Sequence, residues 1–398
     1  MRAIVALVLI GVVAATQTVY YRRVLDPLPA DCTVFGTRTL CRIADGAPLP
    51  APDPDAVSSA DMPVAATPML DTQKARAVRA VDVEPDAVAL SWGQDRVDER
   101  SLPLSGTYTP DRTGNGATVW VVGSGVDVTS AQLSGRVTNP FAASSPPYDC
   151  HGSGTKAAVT AAGSTYGIAT AAVVRGIKVL GCGGGGSSGD LVDGLSYVLA
   201  NLAARNVVLI TVSYTGRNTA VENVIADLIA AGATVVAGAG DQGTNACNFF
   251  PASQTGVISV AATTPKDDRY SFSNYGSCVT MFAPGHDITT QTLGGVVVNS
   301  SSTALAAAEV AGAATMVLQG NPSWTGAQVL NNLLNRATQN VISSAKSTPN
   351  LLLFVLQGSN PPQPTTSTTT STTSSPGTVT TASLALLLLA GLYSILIL

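Results

Sequence analysis

The sequence is poor in charged side chains and in histidine, and both shortages exclude classes of function. Only 12% of the residues are charged, and the net charge of −4 comes without a long basic run, so no nucleic-acid partner is indicated. The chain has two histidines, His151 and His286. Because it also lacks a pair of cysteines two residues apart, the sequence does not predict a zinc-type metal site.

Small and apolar residues are abundant instead. The 398 residues include 38 glycines, and 45% of the chain is hydrophobic. This composition is typical of a compact α/β core with tight turns. The length allows one large domain with additional segments at its ends.

The first 16 residues have the pattern of a signal peptide. Arg2 precedes an apolar run over residues 3–15, and polar residues begin at Thr16. A spanning helix needs about 20 apolar residues, so this run is too short for one. We predict a signal peptide over residues 1–16 and secretion of the chain, with a buried first strand or helix as the alternative.

The C-terminal part predicts a membrane attachment. Residues 358–381 are mostly Thr, Ser and Pro, which cannot bury a core and favour an extended stalk. Residues 382–398 are a hydrophobic tail. A polar spacer before such a tail is typical of a GPI-attachment signal, which predicts a lipid anchor on the extracellular face of the plasma membrane. The alternative is a helix anchor, for which the tail is short. The attachment residue stays open.

The cysteines divide into two groups. Two lie in the N-terminal segment and four in the main body: Cys32, Cys41, Cys150, Cys182, Cys247 and Cys278. Secretion favours disulfide bonds between them, since the extracellular compartment is oxidising. Their spacing alone leaves the connectivity open.

From residue 117 onwards, continuous apolar runs alternate with helical patterns. The predicted strands cover 118–122, 173–180, 207–214, 234–239, 257–262 and 279–283. The predicted helices cover 156–162, 190–204, 220–231, 304–318 and 325–336, with Gly232 and Gly320 at C-cap positions. Apolar runs of this kind are typical of strands that are buried on both faces. The alternation predicts an α/β fold with a doubly wound, mostly parallel sheet, helices on both faces and function at the carboxyl ends of the strands.

Several ordered motifs resemble the proteinase K branch of the subtilases over residues 91–357. They are WGQDRVD at 92–98, NFFPAS at 248–253, SFSNYGSC at 271–278, MFAPG at 281–285 and TPNLL at 348–352. The resemblance implies a subtilisin-type fold and disulfides pairing Cys150 with Cys182 and Cys247 with Cys278. It also implies that structural calcium is possible, although no ligands can be assigned.

The same resemblance assigns the catalytic positions, and the usual side chains are missing from them. Gly123 in VVGSGV stands where the family has the aspartate that orients the catalytic histidine. Ser153 in GSGTK stands in place of that histidine, and Ala304 in STALAAAEVAG in place of the nucleophilic serine. Asp241 in GAGD replaces the asparagine of the oxyanion hole.

These replacements predict a chain without proteolytic chemistry. Alanine offers no nucleophile, and a serine hydroxyl is too weak a base near neutral pH. We therefore expect an inactive homologue, a surface-anchored binding or decoy protein whose partner is a peptide or protein. The alternatives are a serine-type endopeptidase with an unorthodox catalytic set, and a structural coat protein. Within the first alternative, Ser302 and Thr303 are the neighbouring hydroxyls, and His151 is offset by two residues from the position of the base.

The resemblance also locates a peptide groove between two edge segments, where a ligand would add a strand. One edge is the glycine run Gly183, Gly184, Gly185 and Gly186, which could instead form a flexible loop. The other edge is Ser213, Tyr214, Thr215, Gly216 and Arg217.

The N-terminal segment, residues 17–90, differs from a family propeptide. Residues 47–69 are rich in Pro, Ala and Asp and indicate a linker, and residues 81–86 resemble only the last propeptide strand. We predict that this segment stays attached and that residues 87–91 lie in or beside the groove. Asn299 begins the chain's Asn-x-Ser sequon, whose glycosylation is left open.

Overall fold

The computed structural model describes residues 90–346 and 349–356, together with the backbone of strands at 18–21, 32–35, 38–42, 63–66 and 70–71. The predicted signal peptide, stalk and hydrophobic tail lie outside these residues. Within the described part, no helix has the length and apolar character that a bilayer crossing requires.

The strands and helices alternate along the main body. The strands are β1 Thr18–Tyr21, β2 Cys32–Phe35, β3 Arg38–Arg42, β4 Pro63–Ala66, β5 Leu70–Asp71, β6 Thr118–Gly123, β7 Val137–Ala142, β8 Val173–Lys178, β9 Gly185–Ser187, β10 Asn206–Ile210, β11 Val212–Thr215, β12 Thr234–Gly238, β13 Phe249–Phe250, β14 Ile258–Thr263, β15 Met281–Pro284, β16 Ile288–Gln291, β17 Val297–Ser301, β18 Thr338–Gln339 and β19 Leu351–Leu352. The helices are α1 Trp92–Val97, α2 Ser153–Ala162, α3 Ser188–Ala200, α4 Thr219–Ala230, α5 Thr303–Gly320 and α6 Gly326–Arg336.

The central sheet has nine strands in the order β18-β19-β15-β14-β12-β10-β6-β8-β7. Its neighbouring strands run parallel except for the antiparallel pair β18 and β19 at one edge. The other three sheets are smaller and have the orders β1-β3-β2, β13-β11-β4-β9 and β16-β17-β5. The predicted α/β fold with a mostly parallel, doubly wound sheet is confirmed.

Two hydrophobic cores lie on opposite faces of this sheet. Successive residues of β6 alternate between them, since Val119 and Val121 pack with α2 and α5, whereas Trp120 and Val122 pack with α3 and α4. Helix α5 is buried along almost its whole length, which explains its small, apolar sequence. The predicted helices on both faces are therefore present.

Several predicted boundaries differ from the structure for local reasons. The predicted strand 207–214 is two strands, because β10 ends at Ile210 and β11 joins a different sheet. Helix α2 begins three residues early, at Ser153, since the Asp149 carboxylate accepts from the amides of Gly152 and Thr155 and so caps its first turn. Gly232 does follow a helix with positive φ, whereas Gly320 is still inside α5.

Candidate active site

The assigned catalytic positions lie at the end of the sheet that is formed by the carboxyl ends of its strands. Gly123 is the last residue of β6, and Ala304 is the second residue of α5. Ser153 begins α2, and its hydroxyl lies 3.1 Å from that of Ser124 at the end of β6. Gly238 at the end of β12 abuts α5, since a Cβ built there would lie 2.9 Å from the Ala304 nitrogen. The assigned positions therefore lie at the carboxyl ends of the strands, where the α/β alternation predicts function.

The start of α5 presents a hydroxyl and a carboxyl beside the methyl group of Ala304, which is fully buried. The Ser302 hydroxyl accepts from the Ala304 amide at 2.9 Å and donates to Asp241 Oδ2 at 2.7 Å. Asp241 Oδ1 accepts from the Thr303 amide at 2.8 Å. Burial raises the pKa of Asp241 to about 7, against the lowering effect of these bonds. This carboxyl therefore changes charge near neutral pH.

A second hydroxyl cluster pairs with an imidazole at the start of α2. His151 Nδ1 lies 2.9 Å from Ser153 Oγ, which in turn contacts the Ser124 hydroxyl. The Gly154 amide donates to Ser124 Oγ at 2.9 Å. The ring of His151 is exposed and lies under Gly184, where a built Cβ would be 2.7 Å from Nε2. The sequence places this histidine two residues from the position of the base, and only the side-chain conformation shows its contact with serine.

A second pair of an imidazole and a hydroxyl lies at the end of β17. His286 Nδ1 is 3.0 Å from Ser301 Oγ, which also accepts from the Asp287 amide at 2.9 Å. The imidazole stacks on Tyr270 with the ring centroids 4.6 Å apart. These contacts hold the ring between a hydroxyl and an aromatic face.

Each of the two predicted groove edges contains a strand, and β4 lies between these two strands. Gly185 and Gly186 lie in β9, whereas Gly183 and Gly184 form the preceding turn, with Gly184 at φ +79°. On the other side, β11 holds Ser213, Tyr214 and Thr215.

Gly216 and Arg217 follow the end of β11. The exposed Arg217 guanidinium pairs with Glu222 at 2.6 Å, so its side chain is directed to α4. This arrangement leaves the β11 backbone free of that side chain.

The N-terminal segment adds strands on both sides of the site. Strand β4 is antiparallel to β9, with Ala65 opposite Gly185, and antiparallel to β11, with Ala65 opposite Ser213. Strand β5 then pairs with β17, where Leu70 is opposite Ser301. The N-terminal segment therefore passes the site as two short strands, β4 and β5.

The prediction for residues 87–91 stays a prediction. Ser91 caps α1 and is buried, and residues 87–89 lie outside the described residues. The linker predicted at 47–69 contains β4, because the pairing is provided by the two edges and requires no apolar pattern in the inserted strand.

Comparison with known proteins decides the family. The model of the Subtilase family matches residues 114–353. The chain belongs to the subtilases. It is similar to an extracellular serine proteinase of Thermus sp. (strain Rt41A), with 40% identity over 283 residues that cover 70% of this chain and 68% of the relative.

Other similar proteins are also named serine proteases or proteinases. The alkaline serine exoprotease A of Vibrio alginolyticus is 35% identical over 272 residues, which cover 67% of this subtilase and 50% of the relative. The solved structure of a cold-adapted subtilisin-like serine proteinase superposes with a TM-score of 0.66 at 34% identity, covering 67% of this subtilase and 99% of that chain. The subtilisin-type fold is confirmed.

These relatives contradict one prediction. A binding or decoy protein that acts without hydrolysis was expected from Gly123, Ser153 and Ala304, but the similar proteins are named serine proteinases or proteases. They favour the alternative, a serine-type endopeptidase with an unorthodox catalytic set. The sequence alone also did not show that the imidazole of His151 contacts a hydroxyl.

The disulfides of this subtilase confirm the implied pairing. Cys150 bonds Cys182, and Cys247 bonds Cys278. Cys32 and Cys41 lie directly opposite one another across β2 and β3, and a bond between them stays a prediction.

Two further predictions stay open. Asn299 is half-buried and accepts from the Thr289 hydroxyl at 3.0 Å, and its glycosylation is still a prediction. Among the described residues, no group of three or more His, Cys, Asp and Glu side chains converges as a metal ion requires. Calcium, whose ligands also include backbone carbonyls, therefore stays a prediction without assigned residues.

Proposed function

We propose that this chain is a serine-type endopeptidase in which Ser153 is the nucleophile and His151 the general base. The observation that carries the proposal is the 2.9 Å contact between His151 Nδ1 and Ser153 Oγ. A hydroxyl within hydrogen-bond reach of an imidazole is the arrangement that activates a serine. Family membership and the names of the relatives support the reaction class.

The chemistry would follow the usual order of acyl transfer. The Ser153 hydroxyl proton moves to His151 Nδ1 as Oγ attacks the peptide carbonyl, and the imidazolium then protonates the leaving amine. Ser124 contacts the same oxygen at 3.1 Å and accepts from the Gly154 amide, so it can orient the nucleophile. Water finally hydrolyses the acyl-enzyme.

The substrate would be a polypeptide bound as an added strand. Strand β4 shows that β9 and β11 can pair with an extended segment on both sides at once. Main-chain pairing of this kind supplies affinity with little sequence selectivity. The edge strand β9 leads back through Gly184 to the ring of His151, which supports a reacting position near this end of the groove.

A fluorophosphonate probe on the purified protein tests the proposal, because it labels activated serines. We expect labelling at Ser153, its loss in Ser153→Ala, and a strong reduction in His151→Gln. Loss of a nucleophile or base costs about a millionfold in kcat in subtilisin, so peptide hydrolysis should fall to background in both variants. Ser302→Ala is the matched control, and it should keep its labelling.

The position of the label separates the alternatives. A label on Ser302 would identify Ser302 as the nucleophile and Asp241 as its base, since the Ser302 hydroxyl lies 2.7 Å from Asp241 Oδ2. The absence of both labelling and hydrolysis in correctly folded protein would overturn the proposal and leave an inactive homologue.

We further propose that the chain is secreted and held at the cell surface by a GPI anchor. The apolar run at residues 3–15 and the relative named as extracellular support secretion, and residues 358–398 support the anchor. Release of the protein from intact cells by a phosphatidylinositol-specific phospholipase is the expected result. Retention after that treatment would count against the anchor.

A further inference from the structure

A buried ammonium group lies against one disulfide. Lys178 is the last residue of β8 and is fully buried. Its Nζ donates to the carbonyl oxygens of Leu180 at 2.7 Å and Ser124 at 3.1 Å, and lies 3.5 Å from Cys150 Sγ. The cation is therefore fixed by two carbonyls in contact with a sulfur atom.

The two ends of this disulfide differ in access. Cys182 is exposed in the turn before β9, whereas Cys150 is half-buried next to the lysine. A thiolate from solution therefore reaches Cys182 Sγ more readily. Attack at one sulfur expels the other as a thiolate, and a more stable thiolate leaves faster.

We propose that Cys150–Cys182 is a site of thiol–disulfide exchange with low-molecular-weight thiols such as glutathione. The incoming thiolate forms a new S–S bond with Cys182 Sγ, and the electron pair of the broken bond goes to Cys150 Sγ. The products are a mixed disulfide on Cys182 and a Cys150 thiolate paired with the Lys178 ammonium. Charge and electrons balance without a further oxidant or reductant.

Lys178 provides the neighbouring positive charge that stabilises a buried thiolate. A neighbouring cation lowers the pKa of a thiol, and a charge in an apolar site is tolerated only when it is paired. The other charged group that acts on Lys178 is the Asp149 carboxylate, which opposes the lowering of the lysine pKa by burial. Asp149 is already bonded to the amides of His151, Gly152 and Thr155. The ammonium therefore faces the sulfur as the compensating charge.

Exchange at this bond would alter the groove. The disulfide joins the segment before α2 to the turn before β9, and Gly184 in that turn packs on the His151 ring. Breaking the bond removes the covalent tie between the groove edge and the segment that carries His151. The inference does not depend on peptide hydrolysis, because the exchange can be measured whether or not the protein cleaves peptides.

The experiment incubates the full secreted chain with glutathione, alkylates free thiols and maps the products by mass spectrometry. We expect glutathione on Cys182 and the alkyl group on Cys150. The second disulfide is an internal control, since Cys247 Sγ contacts only the neutral Ser277 hydroxyl at 3.6 Å among its hydrogen-bonding neighbours in the described structure. It should react more slowly, by about threefold for each unit by which the pKa of its leaving thiol is higher, because only part of the charge has moved to that sulfur in the transition state.

Two variants test the role of the cation. Lys178→Met should slow exchange at Cys150–Cys182 about threefold relative to Cys247–Cys278, whereas Lys178→Arg should retain most of the rate. Both rates are measured in the same molecule. A general loss of stability would therefore accelerate exchange at both disulfides, which distinguishes it from an effect of the cation. If Lys178→Met does not fold, the position of glutathione in the unchanged protein decides. Glutathione on Cys150, or equal rates at both disulfides, overturns the proposal.

Discussion

The side chain of Thr211 occupies the space that a residue larger than glycine would need at position 123. A Cβ built on Gly123 lies 2.1 Å from Thr211 Oγ1. That hydroxyl donates to the Val122 carbonyl at 3.0 Å, so it is held in place. Gly123 and Thr211 therefore fit one another, and an aspartate at position 123 cannot be introduced by itself.

This relationship predicts how the family's triad can be rebuilt. Gly123→Asp with Ser153→His and Ala304→Ser, in an Asp241→Asn background, should give almost no fluorophosphonate label at position 304. Adding Thr211→Ala removes the clashing oxygen and leaves the nearest remaining atom, Thr211 Cβ, at 3.5 Å, an ordinary contact. We expect near-stoichiometric labelling at position 304 in that variant only.

Mass mapping of the labelled peptide and a peptide-hydrolysis assay check this prediction. Thr211→Ala with Ala304→Ser, without the aspartate and the histidine, is the control, and it should not be labelled at position 304. Equal labelling with and without Thr211→Ala would show that the clash is relieved in another way.

The strand β4 leads to a prediction about access to the groove. Ala65 is opposite both Gly185 and Ser213, so it is the residue where the insertion contacts both edges. Proline has no N–H to donate and is poorly tolerated between two strands. Ala65→Pro should release β4 and increase the binding or cleavage of added peptides several-fold.

Hydrogen exchange of β9 and β11 gives a direct measurement. Their amides should lose protection in Ala65→Pro, while Ala60→Pro, three positions before the first residue of β4, should leave them unchanged. Unaltered exchange together with unaltered peptide access would show that β4 does not compete for the groove.

The buried elements were predictable because their sequences report burial directly. The strands around Val119 and Val236 are continuous apolar runs, and the structure places both in the centre of the sheet. Strand β7 was missed since it lies at the edge and contains Pro140. Strand β4 was missed because its conformation is imposed by two partner edges.

The site was predictable only in part. Motifs located positions 123, 153 and 304, and the structure places them at the end of the sheet that is formed by the carboxyl ends of its strands. The contact of His151 with Ser153 could not be predicted, because it depends on how the turn after Cys150 directs two side chains. The fit of Thr211 against Gly123 is likewise a contact between neighbouring strands that no local pattern encodes.

The carboxyl of Glu309 gives a pH-dependent prediction. Glu309 lies within α5, is 1% exposed, and its Oε2 has no hydrogen-bond partner among the residues that the structure describes. Burial raises its pKa well above the ordinary value in the folded state. Its contribution to stability is therefore fully present below the unfolded-state pKa of about 4.3 and is lost as the pH rises towards the folded-state pKa.

Glu309→Gln removes this ionisation. We expect the free energy of unfolding at pH 8 to rise by roughly 1–3 kcal/mol relative to the unchanged protein, and the difference to shrink towards pH 4. Denaturant titrations across this pH range measure it. Glu222→Gln, at the pair with Arg217 on the surface, should leave the pH profile nearly the same. A difference that does not vary with pH would contradict the assignment.

The pair of Arg96 and Asp267 predicts a large energetic coupling. The guanidinium of Arg96 is fully buried and donates to both carboxylate oxygens of Asp267, at 2.7 and 3.0 Å. Removing one partner of a buried pair leaves an uncompensated charge, which costs about 3–5 kcal/mol. Asp267 has φ +59°, a conformation that asparagine also tolerates, so Asp267→Asn changes the charge without adding backbone strain.

A double-mutant cycle isolates this coupling. Arg96→Gln and Asp267→Asn should each lower the free energy of unfolding strongly, while the double variant should cost clearly less than their sum, since no charge is then left unpaired. Urea denaturation measures the free energy of unfolding of the unchanged protein, the two single variants and the double variant. Because α1 contains Arg96 and the turn after β14 contains Asp267, strictly additive costs would mean that other contacts hold these two segments together.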